Sequence, residues 1–461
     1  MDRTRKSDNS DITYRFDQTN GTVKTETTRI FAVTGNPVLH SKSPDIFNAA
    51  FRELSIDAVY TRFAASTAEE VITGILDSGI SGFNITSPFK ENIVRYLDTM
   101  DESAQKIGAV NTVIVDKGRL YGFNTDIQGV KDAFSFNGVK VKGKKAVVLG
   151  AGGAAKAAIS ALISDGADAT IVNRTFEKAK KISDNSGCKI ARFEAIDKTV
   201  RDGDIIVSCL SSIERVINPD FLNKNMFILD ANYGVTTALV KDGMEKNCTI
   251  IDGREWLLFQ GMEAFRHFTG MEPPLNVMKE AVYRQNMLQR NNISFIGFMA
   301  SGKSTIGHGT ANLLSMSYRD IDKIIEMKTN KSISEIFENQ GEESFRKIEK
   351  ETIADIRDLS KTVISCGGGA ILDSDNRNVL KENSIVIWLW ANIDTVLKRI
   401  GNDKSRPLLQ NEDQKSNIKK ILDARIPLYA SASDIIINTE GLEPDVIIRK
   451  VNEETGKFLK N

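Results

Sequence analysis

The chain is short of the residues that mark several protein classes. Among 461 residues there are 4 cysteines, 3 histidines and 9 prolines. Cys188, Cys209, Cys248 and Cys366 stand far apart with no C-x-x-C pair, which argues against a zinc ribbon or a disulfide scaffold. Reduced thiols in a cytoplasmic protein are the expectation. Net charge is missing as well: 61 Lys+Arg balance 61 Asp+Glu, so the basic excess of a general nucleic-acid binder is absent. No apolar run is long enough to span a bilayer, because the most apolar stretch is broken by glycines and Lys156. The opening MDRTRKSDNSD mixes both charges and has no apolar segment of the secretory kind. Residues 1–29 are polar and read as an extension to which no function is assigned.

What is present is ordinary globular material, 41% hydrophobic and 26% charged. Its length corresponds to about three domains. From Ile30 the short runs IFAV, AVYTRF, GFNIT and TVIVD read as strands, alternating with the helical patterns SPDIFNAAFREL and EEVITGILDSG. A second unit opens at KKAVVLGAGGAAKAAISALI, and ATIVNR, DIIVSC, MFILDAN and TIIDG supply strands spaced for a parallel sheet. Helical patterns then run from Trp256 to Gln289. Residues 289–292 (Gln-Arg-Asn-Asn) are polar and read as a linker. A third unit begins at ISFIGFMASGKST, with VISCGGG and SIVIWLW as later strands.

Two glycine turns carry nucleotide signals. Gly150, Gly152, Gly153 and Ala154 lie in a G-x-G-x-x-A turn between a strand and a helix. Such a turn lets backbone approach a pyrophosphate seated on the helix N-terminus. The next strand ends at Asn173, Arg174 and Thr175, where an NAD site would carry an acid; an arginine suits a 2′-phosphate, so NADP(H) is predicted. The second turn, residues 297–304, is G-x-x-x-x-G-K-S. Its backbone N–H groups would bind phosphate, Lys303 would reach the β- and γ-phosphates, and Ser304 could ligate Mg²⁺, which predicts ATP.

Two charged residues ahead of the first turn are candidates for acid–base work. In N-I-T-S-P-F-K, Ser87 reads as a helix N-cap and Pro88 as the first helical residue. Lys90 then falls in the opening turn, where the macrodipole opposes a cation and favours surrender of its proton. Asp126, in N-T-D, is a carboxylate near an expected helix start, where it is favoured. Glu342, Glu343, Glu349 and Glu351 read as a solvated helix face.

The segments GNPVLHSKSP, GFNITSPFK, GAVNT, GFNTD, GAGGAA, VNRT and LLFQGMEAF, in this order, resemble the shikimate dehydrogenase family over nearly all of residues 30–290. The resemblance implies that Ser41 and Ser43 bind a substrate carboxylate and that Thr86, Asn111 and Gln260 bind ring hydroxyls. Tyr233 would line the pocket, Lys90 and Asp126 would be the catalytic pair, and Asn173, Arg174 and Thr175 would hold the adenosine phosphate. The chain departs from the family at Phe47, at His267 and Phe268, and at Gly234 and Val235, which touches substrate tuning more than chemistry.

From about Ile293 onward the chain is similar to shikimate kinase, through D-I-D at 320–322, Phe345-Arg346, the glycines 367–369, R-P-L-L at 406–409 and R-I-P-L-Y at 425–429. By that resemblance Gly297, Ser301, Gly302, Lys303, Ser304 and Thr305 form the ATP cradle, and Arg399 flanks the adenine. Asp320 would join Ser304 on Mg²⁺. Asp322 would bind ring hydroxyls beside Gly367, Gly368 and Gly369. Arg346 and Arg425 would grip the carboxylate with planar donor forks. Arg406 would sit on a lid and reach the transferring phosphoryl group. Ala300 stands where the family usually has glycine.

The fold class implied is α/β throughout: a two-domain dehydrogenase architecture followed by a P-loop α/β domain. The dehydrogenase substrate domain would cover 30–136 and 256–290, a Rossmann NADP domain 137–255, and the kinase 291–461. The implied function is consecutive: NADPH reduces 3-dehydroshikimate to shikimate, and ATP phosphorylates shikimate at its 3-hydroxyl. Expected partners are these small molecules, with no nucleic acid and no membrane; the oligomeric state is not legible. Two other readings stay open on the residues alone: an NAD-preferring quinate dehydrogenase, and a regulatory module whose one half binds metabolite without turnover.

Overall fold

The computed structural model describes residues 28–285, 288, 290–401 and 414–459. Six strands belong to the first unit: β1 (Arg29–Gly35), β2 (Ala58–Ala64), β3 (Gly82–Ile85), β4 (Thr99–Met100), β5 (Thr112–Asp116) and β6 (Arg119–Phe123). Six more follow: β7 (Lys145–Leu149), β8 (Asp168–Val172), β9 (Lys189–Ala191), β10 (Ile205–Ser208), β11 (Phe227–Asp230) and β12 (Thr249–Ile251). The last five are β13 (Asn292–Ile296), β14 (Ser317–Asp320), β15 (Thr362–Ser365), β16 (Ser384–Trp390) and β17 (Ile435–Asn438).

The middle six form their own parallel sheet in the order β12-β11-β10-β7-β8-β9. Counted from its first strand this is the doubly wound order in which ligands sit where the winding reverses, here between β7 and β10. The helix Gly153–Ser164 packs on it through Ala155, Ala157, Ala158 and Ile159, small buried side chains that let helix and sheet approach closely.

The remaining strands make one continuous sheet of 11, in the order β14-β15-β13-β16-β17-β2-β1-β3-β5-β6-β4. The sequence reads as three units, but the first and third share a sheet. The junction is a parallel pairing of β17 with β2, Ile436 opposite Phe63 and Ile437 opposite Ala64. β16 and β17 are apolar and buried along most of their length, as strands covered on both faces must be. Two apolar layers run across the junction. One holds Ile75, Phe83 and Phe63 together with Trp388 and Trp390. The other joins Phe47, Phe51 and Phe268 to Ile387, Ile447 and Val451. Taken singly, β2 and β17 would each present an unpaired edge, and pairing them satisfies both.

Two local expectations fail. Within the stretch read as a linker, residues 290–292 are not free: Asn292 is buried as the first residue of β13, its side-chain Nδ2 donating to the Leu359 (2.9 Å) and Asn383 (3.2 Å) carbonyls. Arg290 bridges Leu459 in parallel, and Gln289 lies outside the described residues. No α-helix opens at Pro88 either. A turn leads into a 3-10 helix at Asn92–Tyr96, because the Ser87 and Lys90 carbonyls accept from the amides of Asn36 (3.1 Å) and Val110 (2.8 Å) instead of from helical neighbours. The helix-field argument for Lys90 therefore falls. Among the described residues, no helix is long and apolar enough to cross a membrane.

Candidate active sites

Lys90 is held by a partner rather than by a helix field. Its Nζ stands 2.5 Å from Asp126 Oδ2, and the pair is largely buried, at 18% and 7% side-chain exposure. Asp126 opens the helix Asp126–Phe136, a position that favours a carboxylate, as expected. The Asn124 carboxamide fixes this helix start by accepting from the Asp126 amide at 3.2 Å and donating to the Ala109 carbonyl at 2.9 Å. A Cβ on Gly153 would lie 3.2 Å from the Lys90 side chain. The dinucleotide turn thus rests directly on the lysine.

Behind the pair runs a buried polar network. Asn111 donates to Thr125 Oγ1 at 3.0 Å and to Gln260 Oε1 at 3.3 Å, while Asn111 Oδ1 accepts from the Thr125 amide at 2.8 Å. Asn84 donates to Thr112 Oγ1 at 2.8 Å and accepts from the Tyr60 hydroxyl at 2.6 Å. The sequence reading found Asn111 and Gln260 but missed Tyr60, Thr112 and Thr125 as supports. Thr86 sits at the end of β3, its methyl packed against Gly35, where a Cβ would come within 2.4 Å. Ser41 and Ser43, both buried, have hydroxyls 3.2 Å apart. Tyr233 comes from the loop after β11, and burial pushes its phenol up. Phe47 stacks on Tyr60 with centroids 4.3 Å apart, so this departure from the family is an apolar packing solution.

The dinucleotide turn fits a bound NADP. Gly150 has φ +112°, which a side chain would strain, and its added Cβ would meet the Cys209 carbonyl at 3.0 Å. Gly152 caps the helix Gly153–Ser164 without a side-chain hydrogen bond, so its leading N–H groups, including that of Ala154, are open to an anion. Asn173 donates to the Thr175 carbonyl at 2.9 Å and shapes the turn after β8. Arg174 there is exposed, and no carboxylate among the described residues pairs with it.

The second site assembles at the carboxyl end of β13, again where strand order reverses. Gly297 (φ +148°) and Gly302 (φ +95°) need glycine geometry, and a Cβ on Gly297 would strike the Leu389 carbonyl at 2.6 Å. Ala300 also adopts a left-handed φ, +58°, a conformation that explains why glycine suits the place. Lys303 folds over the loop, donating to the carbonyls of Gly297 (3.0 Å) and Phe298 (2.8 Å). Ser301 Oγ is buried with no hydrogen-bond partner among the described residues, and Thr305 is exposed in the first turn of the following helix. Ser304 Oγ donates to Asp320 Oδ2 at 3.0 Å, so the oxygen donors expected on Mg²⁺ stand together. Arg399 ties the cradle to β17, donating to the Ala300 carbonyl (3.3 Å) and the Thr439 carbonyl (3.0 Å).

Acceptor-side residues converge on the three glycines. A Cβ on Gly367 would come 2.8 Å from both Asp322 Oδ1 and Glu349 Oε1, and one on Gly369 within 2.5 Å of the Arg346 guanidinium. Arg425 and Tyr429 both donate to the Gly368 carbonyl. Glu349 corrects the sequence reading: it is 1% exposed, bonds Arg346 Nη1 at 2.7 Å, and burial pushes its carboxyl up. Glu342 holds the other arm of Arg346 at 2.9 Å. The i, i+3 spacing of Arg346 and Glu349 was the available signal. Arg406 lies outside the described residues. Gly369→Ala must displace the Arg346 head, so we expect KM for the kinase acceptor to rise about tenfold with the fold intact, as steady-state kinetics and thermal unfolding would show.

Two nucleotide cradles at two switch points, one beside a lysine–carboxylate pair and one facing an arginine-rich pocket, define a dinucleotide-dependent oxidoreductase joined to a P-loop phosphotransferase. Comparison with known proteins makes this specific. Family models match at 33–113 (shikimate dehydrogenase substrate binding domain), 131–231 (shikimate / quinate 5-dehydrogenase), 253–283 (shikimate 5′-dehydrogenase C-terminal domain) and 299–455 (shikimate kinase). The chain is 38% identical over 269 residues to the shikimate dehydrogenase (NADP(+)) of Nitrosopumilus maritimus, covering 55% of this chain and 98% of that protein. It is 35% identical over 272 residues to that of Methanocaldococcus jannaschii, covering 55% and 96%. The shikimate 5-dehydrogenase of Thermus thermophilus in complex with NADP(H) and shikimate superposes with a TM-score of 0.52 at 31% identity, over 55% of this chain and 98% of that one. The chain belongs to the shikimate dehydrogenase family and carries a shikimate kinase domain behind it.

Proposed function

We propose that the protein performs two consecutive reactions: reduction of 3-dehydroshikimate to shikimate with NADPH, then phosphorylation of shikimate at its 3-hydroxyl with ATP and Mg²⁺. The observation that carries this reading is the Lys90–Asp126 pair seated against Gly153 of the dinucleotide turn. NADPH, when bound, supplies the hydride. Lys90 gives its proton to the carbonyl oxygen as negative charge grows there, and Asp126 keeps the ammonium aimed. Ser41 and Ser43 receive the ring carboxylate, Tyr233 closes over them, and Thr86, Asn111 and Gln260 read the hydroxyls. In the kinase, Asp322 orients the acceptor hydroxyls while Arg346 and Arg425 hold the carboxylate. Lys303 neutralises charge on the phosphates. Ser304 and Asp320 would hold Mg²⁺, which adds charge neutralisation.

The domain division of the sequence reading goes with this proposal, 30–136 and 256–290 for substrate, 137–255 for NADP, 291–461 for the kinase. The four cysteines are free, which suits a cytoplasmic enzyme. A coupled assay with 3-dehydroshikimate, NADPH, Mg²⁺ and ATP tests the whole reading. NADPH loss must be matched by shikimate 3-phosphate gain, and loss without phosphorylated product would refute the second step. The exposed Arg174, which no described carboxylate pairs, supports NADP over NAD. Arg174→Leu should raise KM for NADPH about ten- to a hundredfold, the worth of a charge-assisted bond, and leave KM for NADH unchanged.

A further inference from the structure

The loop that carries Ser41 and Ser43 is held in place from the kinase side. Glu454 stands on the helix Pro444–Thr455 and is buried. Its Oε2 accepts from the amides of Val38 at 2.9 Å and Leu39 at 2.8 Å, and its Oε1 lies 3.1 Å from the Val38 amide. Leu39 is two residues before Ser41. One turn back on the same helix face, the buried Lys450 pairs through Nζ with Glu70 Oε1 at 2.5 Å across the junction, where the Glu70 side chain is 13% exposed. A second tie runs parallel to the first. The buried Arg62 donates from Nη2 to the Ser41 carbonyl at 2.6 Å and from Nη1 to the Asp434 carbonyl at 3.1 Å, beside β17.

None of these kinase-side groups belongs to either nucleotide cradle. Among the described residues the two loop amides have no backbone acceptor, and a buried amide without an acceptor is costly. A carboxylate accepting both at once fixes the loop's direction ahead of the two serines.

We propose that Glu454 is a positioning residue of the dehydrogenase, so that the last helix of the kinase domain forms part of the wall that presents Ser41 and Ser43 to the substrate carboxylate. This inference rests on the dehydrogenase reading given above. It concerns binding, not chemistry: Glu454 touches neither the Lys90–Asp126 pair nor the dinucleotide turn. Its loss should weaken capture of the acid while the hydride step proceeds.

The test uses the full chain with Glu454→Ala and Glu454→Gln. Glutamine can place its one oxygen where Oε2 stands, so it should retain most of the parent behaviour. For Glu454→Ala we expect KM for 3-dehydroshikimate to rise about tenfold, with kcat within about twofold. KM for NADPH and both kinase constants should hold. Hydrogen exchange provides a readout independent of activity: amides in residues 36–43 should exchange faster in Glu454→Ala, and those of the NADP sheet should not. Unchanged exchange at 36–43 would overturn the proposal, as would a folded Glu454→Ala enzyme with parental KM. A uniform fall of all constants in both variants would overturn it too, since that marks general destabilisation. If the parent chain reduces no 3-dehydroshikimate, the functional reading fails, and the exchange arm still decides whether Glu454 holds the loop.

Discussion

Lys90→Ala should slow the reduction about a thousandfold, within the range that a lost general acid produces. It should leave phosphorylation of added shikimate at the parental rate. The loss should fall on kcat and kcat/KM together, because the proton is needed only as charge develops on the carbonyl oxygen. Lys90 and Asp126 are largely buried, so removing the lysine leaves a carboxylate without its partner. Thermal unfolding measured beside the kinetics separates a lost proton donor from a weakened fold. A reduction rate within tenfold of the parent in a folded variant would end the assignment.

Lys303→Ala should do the reverse, lowering phosphoryl transfer on the order of 10²–10³-fold while reduction continues. In this structure the ammonium rests on two loop carbonyls, Gly297 and Phe298, both within its own glycine turn. Following both activities in one preparation makes each an internal control for the other. A Lys303→Ala protein that lost both would show that the P-loop sets the reductase geometry, contrary to independent chemistry.

Much of this was legible in the sequence because it is local. A strand, a glycine turn and a helix lie within about a dozen residues, and the positive φ of Gly150, Gly297 and Gly302 follows from what a tight phosphate turn demands. Arg174 at the end of β8 is read the same way. What failed depended on distant partners. The S-P signal before Lys90 promised a helix, but Asn36 and Val110 took the carbonyls that a helix would have used. Glu349 looked like one charge among several on a helix face until folding turned it toward Arg346 and Gly367. Tyr60 lies in no motif, and Thr112 and Thr125 stand inside GAVNT and GFNTD with no role that local spacing reveals, since their value comes from a hydrogen-bond network drawn from separate elements. The seam between β2 and β17 was invisible for the same reason: hydrophobic pattern tells that a strand is buried, not which edge it will meet.

That seam has a bearing on how the protein is made. Arg62 and Asp434, which face each other across it, are 372 residues apart in the chain. At ordinary translation speeds β2 leaves the ribosome roughly twenty to seventy seconds before its neighbour exists. Throughout that interval the nascent dehydrogenase carries a bare strand edge, the kind of surface on which polypeptides in a crowded polysome misassemble. The kinase half, arriving last, is thus also the piece that shields its older companion.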